Sequence, residues 1–429
     1  MIQLIENPAR DTWTDLIRRD VSNDETLSAR VTAIIEQVQH EGDRALLRFS
    51  KEIDGWENPY LQVPEETIDA ALEKITPQLR KAINTAANNI KRFHEAQRSN
   101  GVDIETMPGV RCIQQNIPIQ RIGLYIPGGT APLFSTVLML AIPAQVAGCK
   151  EIILCTPPSR SGTVAVEILY AASICGVRRI FLTGGAQAIA AMAYGTETIP
   201  RADKIFGPGN RYVTKAKQFV SMSQIAIDMP AGPSEVMILA DGSANPDFVA
   251  ADMLSQAEHG NDSQAIVVAD SPVLAGKIVD CLKIQLEKLS RKEFAAKALH
   301  NSKIIVLNER KAMINFANAY AAEHLIISMV DAWEIASQIT AAGSIFIGNF
   351  SPESAGDYAS GTNHTLPTSG WAKAYSGVNL DSFMKKITYQ ELTLQGLENL
   401  SDTIISMAEA EGLDAHAHAV KIRLNAKQS

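Results

Sequence analysis

Apolar residues follow one spacing at the two ends of the chain and a different spacing in its middle. In residues 1 to about 100, charged and apolar side chains mix at intervals of three and four, as in 70–93. That spacing is typical of amphipathic helices, so helical arms or bundles are predicted for the N-terminal region.

From Arg121 onward, short apolar runs alternate with longer stretches that have helical spacing, such as 134–147 and 164–174. Alternation of this kind predicts parallel sheets with helices on both faces, and ligands are expected at the carboxyl ends of the strands. The runs fit one large sheet or two smaller ones, and their similarity on either side of "AGPSEV" favours two. The predicted strands are 122–126, 151–155, 179–182, 225–228, 236–240, 265–269, 303–307 and 344–347.

The last fifty residues return to a helical pattern with recognisable ends. Residues 397–411 are periodic, Gly412 is placed just beyond a helix end, and Asp414 is placed to cap a second helix. The bend at Gly412 is expected to bring Glu411 and His416 together at the corner of a helical hairpin. Near the end of the chain, this corner is in a position to reach a neighbouring subunit.

Composition and charge narrow the class of protein. Of 429 residues, 46% are hydrophobic and 20% are charged, a composition typical of a globular protein. A chain of this length is long enough for about two or three domains. The net charge of -8 argues against nucleic acid or an anionic membrane as partner. The start lacks a secretory signal, and the apolar run 136–148 is too short to cross a bilayer. With five scattered cysteines, a reduced, cytoplasmic protein is expected.

Glycine-rich turns follow several predicted strands, and each offers free backbone N–H groups that suit an anionic or nucleotide ligand. None has the G-x-G-x-x-G pattern of dinucleotide binding, so any one of them is equally well interpreted as a tight turn without a ligand. Four such turns at the same edge of the fold favour a cofactor. The turns are 125–132, 183–188, 206–210 and 230–235.

The segment "SQAEHG" raises the possibility of a metal site. In a helix, Gln256 and His259 would stand about 60° apart, whereas Glu258 and His259 would stand about 100° apart. The spacing therefore favours Gln256 over Glu258 as the partner of His259, although a neutral amide is an uncommon zinc ligand. An anionic ligand is then needed from elsewhere.

Three other segments place acids beside histidines. Asp357 lies in "SPESAGDYASGTNHTLP", predicted to be an irregular loop, where it is either the missing anion or a residue that closes an Asx turn. Glu323 and His324 stand at the start of a strand-like run, where they fit either two proton-transfer roles or a charged loop edge. His416 and His418 would point about 200° apart on a helix, so only one can face a given site.

Ten segments in order resemble the histidinol dehydrogenase family, and together they cover nearly the whole chain. They are "GVRC", "GLYIPGGTAPLFSTVLMLAIPA", "CGV", "GGAQAIAA", "DKIFGPGN", "DMPAGPSEV", "LSQAEHG", "EHLII", "SPESAGDYASGTNHTLPT" and "AHAHAV". The resemblance implies oxidation of L-histidinol to L-histidine through L-histidinaldehyde, the end of histidine biosynthesis, with two NAD⁺ and one zinc ion per subunit.

The resemblance also implies the roles of individual residues. His324 would act as general base and Glu323 would activate water, while zinc would dock the imidazole and amine of the substrate. The implied zinc ligands are Gln256, His259, Asp357 and, in a homodimer with shared active sites, His416 of the partner subunit. The implied substrate contacts are Ser234, Gln256, His259, His324, Asp357, His364, Glu411 and His416, and the implied NAD contacts are Tyr125, Gln187 and Asn210.

The implied fold is two incomplete Rossmann-like parallel-sheet domains with a helical N-terminal arm and a helical C-terminal tail that wraps onto the partner. The predicted divisions are an arm at 1–24, a discontinuous domain at 25–124 and 235–378, an inserted NAD-side domain at 125–234 and a tail at 379–429. Three alternatives stay open: a dehydrogenase of the same fold acting on another amino alcohol or diol, a non-catalytic zinc-dependent dimer, and manganese in place of zinc.

Overall fold

The computed structural model describes residues 2–19, 25–57, 60–128, 132–159, 162–222, 225–230 and 232–425. Parts of three predicted features lie outside these residues: the end of the N-terminal arm and pieces of the glycine turns 125–132 and 230–235. The chain divides into a larger unit, Met1–Ala96 with Gln120–Ser382, and a smaller one, Gln97–Ile119 with Phe383–Ser429. Of the described helices, none has both the length and the apolar content to cross a bilayer.

The strands form two parallel sheets in the larger unit and one antiparallel sheet in the smaller. In chain order they are β1 (Gln3–Glu6), β2 (Val102–Met107), β3 (Val110–Pro118), β4 (Arg121–Tyr125), β5 (Glu151–Thr156), β6 (Arg179–Leu182), β7 (Lys204–Phe206), β8 (Ala226–Ile227), β9 (Glu235–Ala240), β10 (Gln264–Ala269), β11 (Lys303–Val306), β12 (His324–Ser328), β13 (Ser344–Ile347) and β14 (Met384–Leu392).

Helices connect the strands and cover the sheets. They are α1 (Trp13–Leu16), α2 (Glu25–Glu41), α3 (Asp43–Phe49), α4 (Glu65–Lys74), α5 (Pro77–Glu95), α6 (Phe134–Ala147), α7 (Val166–Ile174), α8 (Gly185–Tyr194), α9 (Arg211–Ser221), α10 (Pro246–Ala257), α11 (Pro272–Leu286), α12 (Lys292–Ala298), α13 (Arg310–Tyr320), α14 (Ala332–Ala336), α15 (Glu353–Tyr358), α16 (Leu394–Ala410) and α17 (Asp414–Asn425).

The two parallel sheets confirm the predicted α/β fold. The six-stranded sheet has the order β1-β11-β10-β9-β12-β13, and the five-stranded sheet has the order β6-β5-β4-β7-β8. Apart from β1 at the edge of the six-stranded sheet, the chain enters each sheet at a central strand, β9 or β4, builds outward on one side and then crosses to the other. The crossing points lie between β9 and β12 and between β4 and β7, where crevices for ligands form in folds of this class.

The helices α2 to α5 pack on the five-stranded sheet, which differs from the predicted grouping of 25–124 with 235–378. Leu27, Val31 and Ile35 on α2 are buried in one core with Phe181 and Ile189 of the inserted domain. Helix α2 contacts α8 and α9, α4 contacts α7, and α5 contacts α6. An amphipathic stripe in the sequence shows that a helix needs a partner, but it does not identify which sheet provides it.

The N-terminal segment was predicted to be a helical arm, but it also contains a strand. Residues Gln3–Glu6 form β1, which pairs in parallel with β11 at the edge of the six-stranded sheet. A four-residue strand with polar residues at both ends has too little alternation to be recognised as a strand from sequence.

The smaller unit contains a sheet that the sequence did not predict. Strands β2 and β14 flank β3 in antiparallel pairing, so the C-terminal segment begins with a nine-residue strand and not a helix. Helices α16 and α17 then form the predicted hairpin, in contact with each other. Gly412 at its corner has φ of 71°, a left-handed conformation that glycine adopts without strain, as expected beyond a helix end.

His94 is fully buried in α5. Its Nδ1 lies 2.8 Å from the Ile90 carbonyl oxygen, and burial lowers the pKa of the imidazole below its usual 6.5. Below that usual value, the unfolded chain therefore binds a proton more readily than the folded chain. The free energy of unfolding falls as the pH drops through this range, and the loss is absent at higher pH.

We therefore expect His94→Gln to reduce the loss of stability between about pH 7 and about pH 5, because a neutral amide does not titrate. The matched control is His300→Gln, since the Nδ1 of His300 makes the same contact with the Ala296 carbonyl at 2.7 Å but the residue is exposed. Denaturant midpoints measured over this pH range check the prediction. Equal acid sensitivity in wild type and His94→Gln would contradict it.

Candidate active site

The candidate catalytic residues lie at the amino end of the six-stranded sheet, not at the carboxyl ends of its strands as predicted. His324 is the first residue of β12 and Glu323 precedes it, while Gln256 and His259 lie at the end of α10. A helix that follows a parallel strand runs back toward the amino edge. The end of α10 and the start of β12 therefore meet at that edge.

Glu323 and His324 form a buried pair whose protonation is strongly perturbed. Nδ1 of His324 lies 3.7 Å from Oε2 of Glu323, and Nε2 lies 3.5 Å from Oδ1 of Asp357. Burial lowers the pKa of His324, but the carboxylates of Glu353, Glu323 and Asp357 outweigh it and raise that pKa to about 10. Burial raises the pKa of Glu323 to about 8, despite the opposing effect of His324. The two groups of the pair thus have pKa values well above their ordinary values, each for a different physical cause.

Gln256 is fully buried, yet neither Oε1 nor Nε2 of its amide has a hydrogen-bond partner among the described residues. Leaving a buried polar group unpaired costs about 1–3 kcal/mol, which a ligand can offset by binding it. Nearby, Nε2 of His259 lies 3.8 Å from Oδ2 of Asp357. The structure therefore brings His259 and Asp357 together and leaves the Gln256 amide available, while the pairing of Gln256 with His259 stays a prediction.

Glu353 joins this group, although sequence reasoning missed it. Ligand atoms of His259, Glu353 and Asp357 all lie within 4.8 Å of one another, a spacing that could hold a metal ion. The segment predicted to be irregular contains α15, which begins after Pro352, so Glu353 and Asp357 stand one turn apart on the same face. The signal was present in the sequence: proline followed by an acid, with a second acid four residues later, fits a helix start.

A hydrogen bond ties α15 to α10. The carboxylate of Asp252, one turn before Gln256, accepts the backbone N–H of Glu353. Burial raises the pKa of Asp252 to about 7. Because the two helices carry different members of the candidate metal site, this bond fixes their separation.

Arg19 binds Glu235, and the backbone N–H of Glu235 is hydrogen-bonded to Glu323. Its guanidinium donates to both carboxylate oxygens of Glu235, at 2.8 Å and 2.7 Å, and lies over the Tyr320 ring. The backbone N–H of Glu235 in turn donates to Oε2 of Glu323 at 2.9 Å, and that of Ser369 donates to Glu235. A buried, bidentate pair of this kind is rigid, so the orientation of Glu323 depends on a residue of the N-terminal segment.

His364 connects the site to the five-stranded sheet. Its Nδ1 lies 2.9 Å from the Asp357 carbonyl oxygen, and its Nε2 lies 3.2 Å from Oγ1 of Thr136 on α6. Burial lowers the pKa of His364, so the ring is neutral near pH 7. Ser234, another predicted substrate contact, immediately precedes β9, and its carbonyl accepts the N–H of Gln264.

The predicted NAD contacts lie at the carboxyl edge of the five-stranded sheet. Tyr125 ends β4, and its buried hydroxyl accepts the backbone N–H of Gly185 at 3.2 Å; burial raises the pKa of Tyr125 to about 12. Gln187 is buried in the first turn of α8. Asn210 caps α9 by accepting the N–H groups of the second and third residues after it. The contacts of all three residues with NAD stay predictions.

Glu411 and His416 lie in the smaller unit. Glu411 follows the last residue of α16, His416 lies in the first turn of α17, and both are exposed. Their predicted contacts with substrate and metal therefore remain predictions.

Comparison with known proteins identifies relatives of this chain over its full length. The family model for histidinol dehydrogenase matches residues 17–424. A histidinol dehydrogenase of Bacteroides thetaiotaomicron is 54% identical over 425 residues, covering 99% of both chains. One from Escherichia coli K12 is 50% identical over 413 residues, covering 96% of this chain and 94% of the relative.

A solved structure agrees with this similarity. The crystal structure of histidinol dehydrogenase from Elizabethkingia anophelis has a TM-score of 0.97 and 51% identity, covering 100% of this chain and 99% of that chain. The family match and the full-length identities lead to one conclusion: the chain belongs to the histidinol dehydrogenase family.

Proposed function

We propose that this chain oxidises L-histidinol to L-histidine through L-histidinaldehyde, the last steps of histidine biosynthesis, with NAD⁺ as the oxidant. The observation that carries the proposal is the buried pair of Glu323 and His324 beside the cluster of His259, Glu353 and Asp357. An acid and an imidazole with separately perturbed pKa values suit an oxidation that needs two distinct proton transfers.

The residues at the amino edge fit a divalent metal ion. The unpaired Gln256 amide, the His259 imidazole and the Asp357 carboxylate offer oxygen and nitrogen ligands of the kinds that zinc and manganese accept. We assign the fourth position to His416 of the partner subunit. When bound, zinc would hold the imidazole and amine of the substrate and so orient its alcohol carbon.

His324 serves as the general base of the first oxidation. It accepts the proton of the alcohol hydroxyl as a hydride passes from the carbon that bears this hydroxyl to NAD⁺. The product is the aldehyde. The surrounding carboxylates of Glu353, Glu323 and Asp357 stabilise the imidazolium that forms.

Glu323 serves the second oxidation. It accepts a proton from the water that attacks the aldehyde carbon, and the hydrated aldehyde then loses a second hydride to NAD⁺ and a proton to yield the carboxylate. The full reaction consumes one water and two NAD⁺ and releases two NADH and three protons. The backbone N–H of Glu235, 2.9 Å from Oε2 of Glu323, holds the carboxylate in place for this step.

For the dinucleotide we propose contacts with Tyr125, Gln187 and Asn210. Tyr125 ends β4 and Asn210 follows β7, the two strands at the crossing point, while Gln187 follows the edge strand β6 of the same sheet. Backbone N–H groups at the start of α8 and α9 suit phosphate oxygens.

We further propose a homodimer in which the smaller unit of each subunit completes the site of the other. Apolar side chains of the smaller unit are exposed, with Ile104 at 52%, Met407 at 61% and Ile422 at 53%. Large apolar side chains exposed on three elements of one small unit favour a surface that another chain covers.

Turnover of L-histidinol with NAD⁺ tests the proposed function. We expect two NADH per L-histidine formed, measured by absorbance and by quantitation of the amino acid. Metal-loaded protein that fails to oxidise L-histidinol contradicts the proposal. Activity on a different amino alcohol would then favour the alternative dehydrogenase.

Mixing two inactive variants tests the shared site. If His416 acts across the interface, dimers of His416→Asn and His324→Asn subunits contain one site with both residues intact. Because a mixed dimer has one intact site out of two, we expect it to recover up to about half of the activity of a wild-type dimer, a consequence of two-fold symmetry. Mixtures that form heterodimers but stay inactive contradict sharing. His418→Asn is the control, because His418 lies on the other face of α17. Measured alone, this variant should have the same activity as wild type.

A further inference from the structure

We propose that Glu353 is a positioning residue for His324: its carboxylate accepts the Nδ1–H of the imidazole and thereby presents Nε2 to the alcohol of the substrate. The inference rests on the proposed function, because it concerns the base of the first oxidation. Glu353 belongs to none of the roles that the sequence resemblance implied.

The burial of Glu353, whose carboxylate has no hydrogen-bond partner in the described part of the chain, points to a functional role for this residue. The residue is 1% exposed, and neither Oε1 nor Oε2 has a hydrogen-bond partner among the described residues. A buried carboxylate without partners destabilises a fold, so its presence requires a compensating contact during function. A basic group close to this carboxylate is the imidazole of His324, whose Nδ1 lies 3.9 Å from Oε1.

The surroundings of the His324 ring leave this role to Glu353. On the Nε2 side lies Asp357, at 3.5 Å, which is a candidate metal ligand. On the Nδ1 side lie Glu323, at 3.7 Å, and Glu353. The oxygen of Glu323 that faces Nδ1 already accepts the backbone N–H of Glu235 and must be free to accept a proton from water.

A histidine that acts as a base through one nitrogen needs a hydrogen on the other, and a partner there selects the tautomer. Shortening the separation of Oε1 and Nδ1 to hydrogen-bond length requires a movement of about 1 Å, which is common when a site closes on its substrate. In this arrangement Nε2 takes the alcohol proton, Nδ1 keeps its own proton, and none passes to Glu353. The ring is also packed against Phe346, with centroids 5.9 Å apart, which limits its alternatives.

A direct metal contact is the competing role for Glu353, because its carboxylate lies within 4.8 Å of the ligand atoms of His259 and Asp357. The two roles predict different losses. A metal ligand, when changed, lowers metal content together with activity. A positioning residue, when changed, lowers the rate of the first oxidation and leaves metal content as it was.

The experiment compares Glu353→Gln, Glu353→Asp and the control Glu334→Gln, an exposed glutamate in α14. Zinc content, kcat and KM for L-histidinol are measured, together with the primary deuterium isotope effect for substrate deuterated at the alcohol carbon. For Glu353→Gln we expect unchanged zinc content and KM and a fall in kcat of about 100-fold or more, within the range of general acid–base catalysis. The isotope effect should increase, because hydride transfer becomes more rate-limiting.

Glu353→Asp keeps the carboxylate on a shorter side chain, so partial recovery of kcat is expected. If Glu353→Gln fails to fold, the kcat and isotope effect of Glu353→Asp, compared with wild type, decide the question. Loss of zinc in step with activity overturns the inference in favour of a metal ligand, and wild-type kcat in the zinc-loaded variant also overturns it. Wild-type protein unable to oxidise L-histidinol overturns the proposed function as well, which separates the two failures.

Discussion

His324→Asn is expected to lower turnover of L-histidinol by at least about 100-fold while the protein keeps its zinc, because removal of a general base costs about 10²- to 10⁴-fold. The asparagine retains a polar side chain of similar size but cannot accept the alcohol proton. Since His324 lies 3.5 Å from Asp357 without being a proposed ligand, metal content should not change. Steady-state kinetics and metal analysis of the purified variant check the prediction.

His300→Asn provides the control, because His300 is exposed and lies outside the site. Its turnover should match that of wild type. Full activity in His324→Asn would remove the residue from the mechanism and support the non-catalytic alternative. Loss of zinc along with activity would instead make the residue part of the metal site.

Asp357→Asn is expected to lower metal affinity by more than about 100-fold, because changes to residues that only support a ligand already cost about 10- to 100-fold. The substitution removes the anionic ligand proposed beside His259, 3.8 Å away. Metal content after dialysis against a chelator, followed by titration with zinc or manganese, measures the change. The same titration of wild type shows which ion restores more activity.

Glu258→Gln is the matched control for this prediction. Glu258 is adjacent to His259 and partly exposed just beyond the end of α10, and it is not among the proposed ligands. The variant should keep its metal. A loss of metal from Glu258→Gln, with retention in Asp357→Asn, would mean that the adjacent acid is the ligand.

The sequence predicted the elements whose pattern reflects burial. Helix α6 occupies the predicted 134–147, and strands β6 and β13 have the predicted limits, because continuous apolar runs between turns are buried wherever they pack. Strand β14 was missed because it alternates little and is exposed along almost its whole length. Such a strand is defined by pairing with β3, which is distant in sequence.

For the candidate site, local geometry was predictable and long-range geometry was not. The helical spacing favoured Gln256 over Glu258 as the partner of His259, which stays a prediction because α10 ends at Ala257, and the resemblance named Asp357 as a nearby acid. The location of the site at the amino edge of the sheet depends on which helix ends meet there. Glu353 was overlooked because serine and glycine in "SPESAGDY" suggested a loop, although contacts with α10 stabilise a helix.

Two sheet edges, one from each parallel sheet, carry the residues proposed for the two ligands of the candidate active site. The amino edge of the six-stranded sheet carries the residues proposed for the substrate, and the carboxyl edge of the five-stranded sheet carries those proposed for the dinucleotide. His364, bonded to Thr136, lies where these edges approach each other. With the proposed assignments, a spent NADH would leave from one edge while the aldehyde stayed bound at the other, ready for the second oxidation.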